Sequence, residues 1–302
     1  AAHEIAHALG FDYKNFVDNK MVSTLENLRG KSRVVVVSAK LQEEAQKHYG
    51  CEDLEGVELA YADIGMTEVA SHWAYRVAKD ELMSSDTTYG AGYYTALTMG
   101  AFDGLPYYTA NWGMEEPMTW GNGSGCEFIR GNCITNGQSK FPDMFCKEAV
   151  SRCTSDRFSV GVCSSLNGFY GKDEADECPY ASPEATQTSE GLMRAPCTLM
   201  LTNKIPGSVT GNDSWCLDGE SLVVKDATDT DKNVGGVCAR VSCEEGKVMV
   251  MYAGNDNWYH CPEGDFLEPT STSFVSGKIK CPKYREVCTI APDGTSLLPL
   301  VE

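Results

Sequence analysis

The sequence has no run of 18 or more apolar side chains, and its all-valine stretch at residues 34–37 is only strand-sized. No segment therefore reads as a transmembrane helix. Basic side chains are few: 25 Lys and Arg face 43 Asp and Glu, for a formal charge of -18. A surface of that sign repels phosphate backbones and anionic lipid headgroups, which excludes nucleic acid as a partner. The acidity by itself names no ligand, because a solvated exterior looks the same. There are only five histidines, and no CxxC pair occurs among the 14 cysteines. That removes zinc ribbons and CxxC redox motifs.

What is present is a cysteine-rich second half, with 13 of the 14 cysteines irregularly spaced between Cys126 and Cys288. Such spacing implies a disulfide framework made in an oxidising compartment, and hence an extracellular or cell-surface protein. The sequons Asn122-Gly123-Ser124 and Asn212-Asp213-Ser214 agree with that location. At 42% hydrophobic and 23% charged residues the composition is that of a soluble globular protein of about two domains. The chain has neither an initiating Met nor a signal peptide and opens two residues before a motif histidine. We therefore expect a fragment whose first helix lacks its upstream turn and cap. Residues 297–302 are too short for the tail of a lipid-anchor signal, so membrane attachment is expected only through a segment outside these residues.

Residues 1–10 read as the end of a helix stopped by Gly10. In the stretch 12–71, residues 33–37 suit a buried strand, and Ser38 can cap a helix over residues 40–49. Residues 91–105 place Tyr94, Leu97, Ala101 and Leu105 on one apolar helix face. After Trp112 the texture turns to Gly, Asn, Pro and Cys with short strands such as residues 247–252, and a domain boundary is expected near residue 125.

The chemistry is concentrated in His3-Glu4-Ile5-Ala6-His7. Histidines four apart on a helix project from one face and can reach one metal ion, while Glu4, one turn before His7, can serve water without ligating. Gly10 stands where the metzincin pattern HExxHxxGxxH has its glycine, but Tyr13 stands where that pattern has its third histidine. A catalytic zinc commonly takes three protein ligands. His48, in AKLQEEAQKHYG, reads as a solvated helix residue and His260, in WYHCPEG, as structural; His72 lies in SHWAYRVAKDELM.

Here the sequence resembles the leishmanolysin family of surface metalloendopeptidases, which are metzincins. In that family about sixty residues separate the glycine from a third histidine in an HW pair followed by DELM. This chain has Gly10, the insertion, His72-Trp73 and Asp80-Glu81-Leu82-Met83. The likeness runs on through AGYYTALTM from Ala91, Trp120-Gly121, Gly125-Cys126 and FPDMFC from Phe141. It is strong over about the first half and one of texture beyond. It implies His3, His7 and His72 as ligands of one catalytic zinc ion (Zn2+), Glu4 as general base, and Met83 as the methionine whose turn lies beneath the metal. Met83 is equally compatible with a core role, and Met99 is assigned to the core helix. A Cys51–Cys126 bridge is also implied.

The expected fold class is α+β: a metzincin-like zinc peptidase fragment with a mainly helical lower catalytic subdomain (residues 1–125) and a disulfide-rich, mostly β or irregular C-terminal domain (126–302). The implied function is zinc-dependent hydrolysis of peptide bonds in proteins, although the 302 residues alone are expected to be inactive or unstable. Two alternatives stand beside it. One is a non-catalytic, disulfide-rich cell-surface adhesion or binding module that keeps a zinc site; the other is a zinc peptidase whose third ligand is Glu68.

Overall fold

A computed structural model provides the fold and describes all residues except 62–68, 86–90, 147–149, 166–177, 184, 189–190, 195, 200–204 and 299–302. The chain divides into two compact units, one of residues 1–145 with 165–179 and 299–302, the other of residues 146–164 and 180–298.

The first unit opens with helix α1 (Ala2–Ala8), after which the chain turns away at Gly10 with φ +113°, a backbone region that side chains other than glycine rarely enter. Helix α2 (Tyr13–Asp18) is capped by Asp12, whose carboxylate accepts the Asn15 N–H at 3.1 Å. Strands β1 (Val22–Leu28) and β2 (Lys31–Val36) form a hairpin, with Val35 and Val36 of the valine run buried. Helix α3 (Ala39–Tyr49) starts where Ser38 Oγ accepts the Leu41 N–H, and it buries Leu41, Ala45 and Tyr49 at helical spacing. Strands β3 (Val57–Tyr61) and β4 (Val69–Trp73) complete an antiparallel sheet in the order β1-β2-β3-β4.

Helix α4 (Ala96–Asp103) lies close against α3: a Cβ at Gly100 would stand 2.8 Å from Leu41 Cα. Residues 97–102 are buried all round, so this is a core helix rather than an amphipathic one. It is shorter than the expected 91–105, because Thr95 caps it and Tyr93 is already hydrogen-bonded to the backbone of Asp80 and Leu82. Helix α5 (Gly125–Arg130) carries Cys126, which is bonded to Cys51. The expectation of a mainly helical first part is not borne out. Its helices are short, and β-branched stretches such as the valine run form a sheet instead.

The second unit is built of strands: β5 (Arg152–Cys153), β6 (Val160–Ser165), β7 (Pro179–Pro183), the hairpin β8 (Ala185–Thr188) and β9 (Gly191–Arg194), β10 (Ser214–Lys225), β11 (Asp231–Glu244), β12 (Lys247–Met251), β13 (Tyr259–His260), β14 (Phe266–Leu267) and β15 (Phe274–Lys280), then the short helix α6 (Tyr284–Val287). Among the described residues the main sheet runs β14-β15-β10-β11-β5-β6-β7, with β12 pairing β11 and β13 pairing β12. In the β10/β11 register Cys216 faces Cys238; the first is bonded to Cys153 and the second to Cys197. With Val160 these four cysteines form a buried cluster, so cystine takes the place that Leu or Phe would fill in a larger core. Cys146–Cys163, Cys243–Cys288 and Cys261–Cys281 are the unit's other bridges, and no cysteine is free. No described helix is long and apolar enough to cross a membrane.

Candidate metal centre

His3 and His7 project from α1, and β4 delivers His72 from 65 residues further along the chain than His7. Their three Nε2 atoms form a triangle with every edge 3.1 Å. His3 Nδ1 lies 2.6 Å from the Leu82 carbonyl and His7 Nδ1 lies 2.8 Å from the Phe11 carbonyl. A carbonyl only accepts, so both Nδ1 atoms carry a proton, which leaves Nε2 as the atom free to ligate. Burial, then the neighbouring His7 and His3, push the His72 pKa down to about 4, which disfavours a charge on that ring. Lone pairs converging at this distance repel one another unless a cation lies among them. Four-coordinate zinc, with Zn–N bonds of 2.0–2.1 Å, sets its ligand nitrogens about 3.3 Å apart, so both the donor type and the spacing fit that ion.

The ring orientations are set by the surrounding fold. Phe11, whose carbonyl holds His7, is fully buried with its ring 4.9 Å from Trp73 and 5.2 Å from Phe16. Ser71, beside His72, donates its hydroxyl to Asp12 Oδ2 at 3.0 Å and accepts the Tyr13 N–H at 2.8 Å. This clasp ties the segment after α1 to β4. Trp73, on the other side of His72, is fully buried; its indole donates to Thr98 Oγ1 at 2.9 Å and its N–H to the Met83 carbonyl at 2.7 Å. Met83 is fully buried. Glu4 is exposed on α1, between the two histidines.

His48 is not the solvated residue expected: half-buried, it bonds the Trp120 carbonyl through Nε2 at 2.9 Å. His260 is exposed and pairs in strand register with Met249, while Tyr13 begins α2. Glu68, the alternative third ligand, lies outside the described residues. Cys51, Asp53 and Cys126 also cluster, but both sulfurs are consumed in the disulfide and Asp53 pairs with Arg130 at 2.8 Å, so this grouping is structural.

Sequence reasoning missed Glu81, which entered it only as a letter of the DELM motif. Its carboxylate, 1% exposed, accepts the Met83 N–H at 2.5 Å, and the Thr95 N–H and hydroxyl at 3.3 and 3.0 Å. Burial raises its pKa to about 7 against the opposing pull of hydrogen bonds from Thr98, Met83 and Thr95. The only available signal was a carboxylate directly before the apolar pair Leu82-Met83.

Two imidazoles from a helix and one from a strand are a donor set of the kind that a mononuclear zinc site can use. The comparisons agree with that class. The leishmanolysin family model matches residues 1–294. A leishmanolysin homolog of Crithidia fasciculata is 33% identical over 95% of this chain and 47% of its own length. Leishmanolysin of Leishmania major is 33% identical over 95% of the chain and 50% of its own length. A leishmanolysin-like peptidase of Drosophila melanogaster is 25% identical over 84% of the chain and 44% of its own length. The chain belongs to the leishmanolysin family, and it spans about half the length of these curated relatives.

Proposed function

We propose that the protein is a zinc-dependent metalloendopeptidase, with His3, His7 and His72 holding the ion and Glu4 as general base. The observation that carries this reading is the triangle of Nε2 atoms, 3.1 Å on each edge, with two of the three rings fixed by carbonyls at Nδ1. Membership of a zinc-peptidase family supports it. When bound, zinc supplies a Lewis acid that polarises a scissile carbonyl and brings the pKa of water to about 7. Glu4 takes the proton of the attacking water and returns it to the leaving amine, so one carboxylate serves as base and then acid. His3 and His7 keep their protons on Nδ1, bound to backbone carbonyls, and take no part in that transfer. Met83, fully buried, is by the resemblance the methionine whose turn would lie beneath the metal.

The substrates are proteins or peptides. Seven disulfides and no free cysteine fit a protein that works outside the cell or at its surface. Replacing Glu4 with Ala tests the assignment. The variant is expected to keep stoichiometric zinc while peptide turnover falls by about 10²–10⁴-fold, the range of general-base contributions. Near-normal cleavage by the zinc-loaded variant would overturn the role of Glu4.

A further inference from the structure

We infer that Glu81 is a positioning residue of the metal centre: its buried carboxylate clips the turn 81–84, which supports both His3 and the strand carrying His72. The inference rests on the zinc reading above and deepens it. One carboxylate oxygen takes the Met83 N–H at 2.5 Å, and the other takes the N–H and hydroxyl of Thr95 at 3.3 and 3.0 Å. These bonds leave the Leu82 carbonyl pointing at His3, 2.6 Å from Nδ1, and the Met83 carbonyl on the Trp73 N–H at 2.7 Å. Thr98 is a second link, since it bonds Glu81 and accepts the Trp73 indole N–H at 2.9 Å. His3 is thus aimed by a residue next to Glu81, and the residue after His72 is held both by the turn and by Thr98. A carboxylate suits this place because it accepts on both oxygens, whereas a carboxamide offers one acceptor and turns N–H donors toward N–H donors. Burial of such a group is costly unless its partners are in place, so the turn has one arrangement that satisfies it.

The test is zinc affinity by chelator competition on the folded protein, compared with a core variant of equal fragility. Glu81→Gln is expected to weaken zinc binding by about 10–100-fold, as for the partners that orient metal-bound histidines, and to alter the visible spectrum of the cobalt-loaded protein. Thr98→Val, which is milder, should lose less in the same direction, and it carries the test if Glu81→Gln fails to fold. Leu97→Ala, in α4 but outside the clip, should lower Tm while holding zinc within about twofold of the parent, a margin well below those outer-ligand effects. Parental affinity and cobalt spectrum in both Glu81→Gln and Thr98→Val, or an equal affinity loss in Leu97→Ala, would overturn the inference alone. A parent protein that binds no zinc, or His72→Ala binding it as tightly as the parent, overturns the zinc reading together with it.

Discussion

Buried charge and cystine divide the labour between the two units. Among the described residues of the first unit Arg33, Glu58, Arg76, Lys79, Asp80 and Glu81 are all buried, and Arg29 meets Glu58 at 2.6 Å. Among its described residues the second unit buries few charges, Asp156 and Glu286 among them, and it carries five disulfides. Paired buried charges and hydrogen bonds are directional, so they fix side chains to a few tenths of an ångström at the cost of desolvation. Cystines restrict the unfolded chain and require little of the sequence between them. Directional buried contacts are thus concentrated in the unit that carries the histidines, and chain tethering in the unit built of strands.

The comparison would break most visibly at the metal. His72→Ala is expected to weaken zinc binding by more than about 100-fold, beyond what outer partners alone contribute. Metal analysis and chelator titration measure this, while the unfolding transition of the second unit should stay where it was. Next in size, Cys153→Ala with Cys216→Ala opens a bridge between residues 63 apart and should cost the second unit about 4 kcal/mol by the chain-entropy estimate. Denaturant unfolding gives that figure, and zinc affinity should not move; if it falls with the disulfide, the division of labour does not hold. The smallest effect sharpens the picture inside the first unit. Ser38→Ala removes the cap of α3 and the bond from Ser38 Oγ to the Gly100 carbonyl, and should cost about 1 kcal/mol in thermal unfolding with no change in metal content.

How much of this was legible in the sequence depended on the range of each interaction. His3 and His7 could be read from their spacing because a helix turns i and i+4 to one side without help from the rest of the chain. His72 could not, since β4 reaches it only after a sheet has formed; the resemblance to a family supplied it. The Ser38 cap and the valine strand were local and legible. Helix α4 was over-extended at its start because Thr95 serves Glu81 as well as the helix. The role of Glu81 itself was hidden, since nothing in a linear sequence states that a carboxylate is buried. His48 was misread for the same reason: only the fold brings the Trp120 carbonyl to it. Of the seven bridges, only Cys51–Cys126 could be named beforehand, through the same likeness.

The clasp of Asp12, Tyr13 and Ser71 bears on how such a centre tolerates change. It closes the excursion between α1 and β4 at its neck, so the two ends of roughly sixty residues leave and re-enter at one point beside the histidines. Loop-closure cost grows only slowly with length. Residues could therefore be added to or removed from the excursion beyond that neck while His7 and His72 keep their separation, so the number of residues between two ligands does not govern the distance between them in space.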